Sequence, residues 1–203
     1  ATAKAKALVR MAVAKARLIE PLAERRLPLK HDALVVGGGL AGLEAARAAA
    51  GLGHPVVLVE RSGALGGWLA NVREVVPSVP PYDRLAPNPV PELVREVGRD
   101  PAIRVLLGAK VVKLAGQPGQ FTVEVQGPAG AETLQVGAVV QATGARPYDA
   151  GKLAHLGRGA SPDVITAAEL EPMLSKGRLE RPSDGRPPRR IVFVQCAGSR
   201  DKA

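Results

Sequence analysis

The residues able to do chemistry in this sequence are mostly glycines and one acid. Gly37-Gly38-Gly39-Leu40-Ala41-Gly42 follows the short apolar run Ala33 to Val36 and opens a segment rich in Ala and Leu from Leu40 to Leu52. In this Gly-x-Gly-x-x-Gly spacing Gly37 permits a tight turn, Gly39 lets backbone come close to a pyrophosphate, and Gly42 lets a helix pack closely on a strand. A helix starting here turns unpaired N–H groups and a partial positive charge toward phosphates. Glu60 closes a second apolar run, Val56 to Val59, where its carboxylate can accept hydrogen bonds from a ribose diol. A glycine fingerprint alone is weak evidence. Strand, turn, helix, strand and acid in this order make the full dinucleotide pattern, set against the plainer reading of a glycine-rich turn in an α/β protein that binds nothing.

Two further stretches bear on which dinucleotide. Arg61 follows the acid and Gly66-Gly67 follows at short range, before Trp68; a Gly-Gly pair is also what an ordinary turn uses. Farther on, the apolar run Val139-Val140 stops at Ala142-Thr143-Gly144, where a small turn lets backbone and a ligand approach closely. Cys196 is the one thiol, in "FVQCAGSRD" after the apolar run Ile191 to Val194, and Gly198 just after it leaves room for a bulky inorganic group. A thiol at a strand end that binds nothing is the alternative, since a lone cysteine holds no metal. His31, His54 and His155 have no ligand spacing. The absence of a Ser-His-Asp or Cys-x-x-Cys arrangement leaves hydrolysis and dithiol exchange unsupported.

The elements that must position these residues are those of a globular, turn-rich chain. Its 203 residues allow one domain, or one domain and a piece of another. With 46% apolar but only 2% aromatic residues, Val, Leu and Ala must build the core. The single cysteine excludes an internal disulfide framework, which fits a reducing compartment. The sequence has no apolar run of membrane-spanning length and no signal peptide pattern. It opens on Ala1 and stops at "SRDKA" just after an apolar run, which reads as a piece of a longer polypeptide.

The net charge of +9 raises nucleic acid as a partner, but its placement argues otherwise. Residues 1–30 hold Lys4, Lys6, Arg10, Lys15, Arg17, Arg25, Arg26 and Lys30 against only Glu20 and Glu24, so most of the excess sits on one helix. There Leu8, Met11, Leu18 and Leu22 fall near a heptad seam that Lys15 interrupts. That helix reads either as packed on a partner or on the main domain with a solvated basic face, or as a targeting peptide or surface for anionic partners.

Along the rest, five prolines from Pro80 to Pro91 predict an extended loop, followed by a short helix over Pro91 to Val97. "IRVLLGAKVVKL", "QFTVEVQG" and "AETLQV" predict short strands joined by the turns "QPGQ" and "GPAG". The predicted organisation is a basic helix (1–30), a Rossmann-like domain (31–150), a crossover segment (151–189), and the first strand of a second nucleotide-binding-like domain (190–203).

The acid, basic residue and Gly-Gly pair, then a small β-meander, then a strand ending in Ala-Thr-Gly, resemble the flavoproteins with two dinucleotide-binding domains, such as thioredoxin reductase. More closely, "KAKALVRMAVAKARLIEPL", "ALVVGGGLAGLEAA", "VERSGALGGWLANV", "DVITAAELEPML" and "RPSDGRPPRRIVFVQCAGSRD" resemble the A subunit of heterodisulfide reductase and its bacterial relatives, including the A subunit of the quinone-interacting oxidoreductase complex.

The resemblance implies an α/β fold with a parallel sheet, helices and a meander. It also implies FAD held at Gly37, Gly38, Gly39, Ala41, Gly42, Glu60, Arg61, Gly66, Gly67, Trp68, Val111, Ala142, Thr143 and Gly144. Electrons would pass between flavin and iron-sulfur clusters, and partners would be the other subunits of such a complex together with ferredoxin-like or hydrogenase electron carriers in the cytoplasm. Cys196 stands where the family's first [4Fe-4S] ligand would lie, the remaining ligands belonging to a longer parent chain. Archaeal members carry cysteine-rich insertions near "PSVPPYDRLAPNPVP" and after the meander; this sequence lacks them, as the shorter bacterial form does. Two other classes stay open: a binding or assembly module with the same fold and no cofactor, and an NAD-dependent dehydrogenase, for which no catalytic acid, base or substrate domain can be identified.

Overall fold

The computed structural model describes residues 2–20, 26–77 and 79–198. Its centre is a four-stranded, all-parallel sheet of β1 (Ala33–Val36), β2 (Val56–Glu60), β5 (Ile103–Leu107) and β9 (Ala138–Gln141), in the order β5-β2-β1-β9. The other strands are β3 (Glu74–Val75) paired with β4 (Ala86–Pro87), and an antiparallel meander of β6 (Lys110–Gln117), β7 (Gln120–Gly127) and β8 (Gly130–Val136). The helices are α1 (Thr2–Arg17), α2 (Leu40–Gly51), α3 (Val90–Arg99) and α4 (Ala167–Ser175).

Alternation along β1 and β2 divides the core in two. Ala33, Val35, Val56 and Leu58 point to one face, where Leu43 and Ala46 of α2 and Val90, Leu93 and Val97 of α3 cover them. Leu34 and Val59 point to the other face, under Val123, Val125 and Val136 of the meander. The sheet is thus covered on both sides, as a parallel sheet requires. Full burial of Leu34, Leu43 and Leu58 stabilises by about 1.5–3 kcal/mol each. The exposed pair Arg104 to Glu132, with one bond of 2.8 Å, contributes at most about 1 kcal/mol. Apolar layers therefore hold the domain together.

Local chemistry sets the ends of the elements. Asn88 Oδ1 accepts from Val90 N at 2.9 Å at the start of α3, while its Nδ2 donates to the carbonyls of Leu69 and Val72, each at 2.6 Å. One side chain thereby ties α3 to the short 3₁₀ turn Gly67–Asn71. At α4, Thr166 and Glu169 form a reciprocal capping box. Hydrogen bonding from Arg158, and then from Thr166, holds the Glu169 carboxyl down at about 2.

Several expectations change. "IRVLL" does not join the meander: as β5 it lies in the parallel sheet beside β2, and the chain turns at Gly108, whose φ of +63° ends it before β6 begins. The basic helix forms, but Leu8, Val9 and Met11 are exposed and no residue of α1 is buried, so among the described residues it does not pack on the domain. Leu22, Glu24 and Arg25 lie outside the described residues. Ile191 to Val194 form no strand: all four are exposed, and a strand needs a hydrogen-bonded neighbour that the described residues do not offer there. Gly198 has protein on its side-chain side. A Cβ there would meet the Tyr148 ring at 2.3 Å, so its open side is filled. Cys196 itself is exposed in a turn with φ of 54°, and Ser199–Ala203 lie outside the described residues.

Candidate functional site

The glycine loop sits at the carboxyl ends of β1, β2 and β9, the sheet edge where ligands of open α/β sheets collect. A Cβ on three of its four glycines would meet protein, backbone at Gly37 and Gly42 and the movable end of Leu65 at Gly38. A Cβ on Gly37, where φ is +110°, would lie 2.2 Å from the carbonyl oxygen of Ala142. One on Gly42 would lie 1.8 Å from that of Gly37, and one on Gly38 would meet Leu65 Cδ2 at 2.5 Å. A Cβ on Gly39 would meet nothing within 4 Å. Gly39 is the N-cap of α2, and Leu43 N donates to its carbonyl at 2.9 Å. The first N–H groups of that helix, including that of Ala41, have no acceptor within the helix. Open space therefore meets oriented donors at one position of the loop.

Gly66 and Gly67 lie directly on this loop. Gly66 N donates to the Gly38 carbonyl at 2.7 Å and bridges Gly39 in parallel fashion. A Cβ on Gly67 would stand 3.0 Å from Gly39 Cα. Both have positive φ, +108° and +56°. The pair is thus more than a turn: it clamps the glycine loop from outside. On the opposite flank Ala142 N donates to the Val36 carbonyl at 2.8 Å, which carries Thr143 and Gly144, the latter at φ +69°, alongside the loop. The apolar run of β9 stops at this turn because its next carbonyl fills the space that Gly37 leaves.

Glu60 ends β2 and is the one buried charged residue among those described. Its Oε2 accepts from Gly38 N at 2.6 Å, and its Oε1 accepts from Ser62 N at 2.8 Å and from Ser62 Oγ at 2.7 Å. Burial pushes its pKa up, but the hydrogen bonds from Ser62 and Gly38 outweigh burial, and the carboxyl sits below its ordinary range. Its contribution to stability is present above the ordinary glutamate value and is lost as pH falls through the lowered one. Arg61 is exposed beside it. Trp68 is 52% exposed at the start of the 3₁₀ turn. Val111 lies on β6, half-buried against the meander side of the core; the chain reaches it just after Ala109 N donates to the Glu60 carbonyl at 3.0 Å. Cys196 is exposed in its turn. Sequence reading missed Ser62 and Leu65, the first recognisable only as a hydroxyl two residues past the acid.

Glu60→Ala is expected to weaken binding of an ADP-containing ligand by about 1.5–3 kcal/mol, the worth of hydrogen bonds to a charged group. Calorimetric titration with ADP measures it, and an unchanged affinity would place the ribose elsewhere.

A parallel sheet with a glycine loop, an acid at the end of its second strand and a meander on one face defines a Rossmann-like dinucleotide-binding domain of oxidoreductase type. The chain belongs to the pyridine nucleotide-disulphide oxidoreductase family, whose sequence model matches residues 31–175. The likeness to heterodisulfide reductase A subunits also holds. The chain is 30% identical to the second iron-sulfur A subunit of the CoB–CoM heterodisulfide reductase of Methanopyrus kandleri over 282 residues, 99% of this chain and 42% of that one. It is 30% identical to the A subunit of the ferredoxin:CoB–CoM heterodisulfide reductase of Methanosarcina mazei over 285 residues, all of this chain and 35% of that one.

A protein of Archaeoglobus profundus, named for its likeness to the heterodisulfide reductase A subunit, is 40% identical over 126 residues, 62% of this chain and 17% of its own length. The first two matches are longer than this chain, so those relatives hold segments inserted relative to it. The chain spans less than half the length of each relative. Among solved structures, thioredoxin reductase of T. acidophilum matches with a TM-score of 0.48 and 21% identity over 60% of this chain and 38% of its own. Among the described residues, no helix is long and apolar enough to cross a membrane.

Proposed function

We propose that this chain is the FAD-binding part of an electron-transfer oxidoreductase similar to the heterodisulfide reductase A subunit, acting in the cytoplasm beside other subunits of such a complex and ferredoxin-like or hydrogenase electron carriers. The observation that carries the reading is the glycine loop, packed at Gly37, Gly38 and Gly42, clamped by Gly66 and Gly67, and open only at Gly39. That opening fits a pyrophosphate, and the anchored Glu60 carboxylate fits the adenosine ribose beyond it. When bound, the flavin supplies the exchange of one or two electrons. The protein's own part is to hold the phosphates at the α2 N-terminus, orient the ribose by Glu60 and close the site's flanks with Gly67, Trp68, Thr143 and Gly144.

An iron-sulfur cluster does not fit this chain alone. It has one cysteine, such clusters are commonly held by four, and no group of three or more potential metal ligands occurs among the described residues. Cys196 would serve as a ligand only beside thiolates of a longer parent.

Titration of the purified chain with FAD and, separately, with NADH tests the cofactor. FAD is expected to bind with quenching of its fluorescence and to bind more tightly than NADH. Tight NADH binding without FAD binding would overturn the reading in favour of a dehydrogenase.

A further inference from the structure

We infer that Ser62 is the positioning residue that sets the ribose-binding carboxylate, so that recognition of the adenosine diol depends on an Oγ that itself need not touch the ligand. The inference rests on the cofactor reading above. Glu60 is buried, and an acid at a strand end keeps several side-chain rotamers unless its oxygens are tied. Here both are tied. Oε2 is held by Gly38 N at 2.6 Å, inside the glycine loop, and Oε1 by Ser62 N and Oγ at 2.8 and 2.7 Å. The two anchors lie on opposite sides of the carboxylate, one toward the phosphates and one toward the loop leading to Gly66-Gly67.

Ser62 has one hydroxyl proton and two acceptors within reach, Glu60 Oε1 and the Ala64 carbonyl at 2.8 Å. The charged oxygen is the stronger acceptor. Ser62 is in turn fixed by its own carbonyl, which accepts from Gly108 N at 2.8 Å, so the anchor is set by the β5–β6 connection. With each oxygen carrying anchors, a ribose diol must use the lone pairs left over. Their direction is defined only while both anchors hold. Loss of the Oγ leaves the fold's apolar layers untouched and leaves Oε1 on the Ser62 N–H alone, with one of its two anchoring bonds gone.

The experiment compares binding of ADP and of 2′,3′-dideoxy-ADP by calorimetry, so that the diol is read separately from the phosphates. The parent chain is expected to prefer ADP by about tenfold or more, the scale of hydrogen bonds to a charged group. Ser62→Ala is expected to keep its affinity for dideoxy-ADP and lose part of the preference, since only the Oγ bond to Oε1 is removed, while Ser62→Thr, which retains the hydroxyl, keeps it. An unchanged preference in Ser62→Ala overturns the inference, and so does an equal loss toward both ligands, which marks a merely structural role. If the parent chain itself shows no preference for ADP, the assignment of Glu60 to the ribose fails, and the inference falls with it.

Discussion

Gly39→Val is expected to fold as the parent chain does and to lose its ADP-containing ligand. The backbone at Gly39 has φ of −79° and ψ of −175°, an extended conformation that a β-branched residue adopts readily. A Cβ there meets nothing within 4 Å, so the first carbon of the new side chain makes no clash in the unliganded protein. The added methyl groups enter the one open part of the loop, where the phosphates would run. Overpacking a filled site costs about 3 kcal/mol, so affinity should fall by roughly a hundredfold. Thermal unfolding and ADP titration on the same preparation check both halves. Retained affinity would show that phosphates do not follow this turn.

Gly42→Ala is expected to do the opposite and damage the fold before any ligand is added. Its Cβ would sit 1.8 Å from the Gly37 carbonyl oxygen and 2.9 Å from the carbonyl carbon, both backbone atoms that cannot step aside without moving α2 off β1. Ala is chosen because the clash occurs at the first carbon. A cost of about 3 kcal/mol or more follows, and a melting temperature lower by roughly 10 °C. A melting temperature within a degree or two of the parent would mean that helix and strand are not in contact at this point. The two variants differ by three positions in one loop and should separate binding from folding.

What the sequence shows of this fold depends on how local the cause is. β1, α2 and β2 are legible because apolar period, helix-forming Ala and glycine spacing all act within a few residues. α3 is legible from Val90, Leu93 and Val97 on one face. The division of "IRVLLGAKVVKL" between two sheets was not, since Gly108 acts only through a partner strand that the local pattern does not reveal. The run Ile191 to Val194 has the composition of a strand, but composition supplies no neighbour. At the candidate site the glycines and Glu60 announce themselves by type and spacing. Ser62 does not, because its contribution is a distance of 2.7 Å to an acid already accounted for. Nor could the sequence say that Gly66 clamps the loop, a contact made through backbone atoms alone.

The place of β9 in the sheet bears on how the chain acquires its structure. β1 pairs with β9 in register from Ala33 with Ala138 to Val36 with Gln141, and the Ala142 carbonyl completes the packing of Gly37. A pairing so distant in sequence must wait for loop closure, which slows folding relative to helices and hairpins. The meander, made of neighbouring hairpins, can assemble first and offers Val123, Val125 and Val136 as a surface for Leu34 and Val59 to settle on. During synthesis, β1 must remain without its last neighbour until residue 142 has left the ribosome. Until then β1 presents an unpaired edge, the feature that invites association between chains. The glycine loop is therefore among the last parts of the domain to take shape, although its residues are among the first to be made.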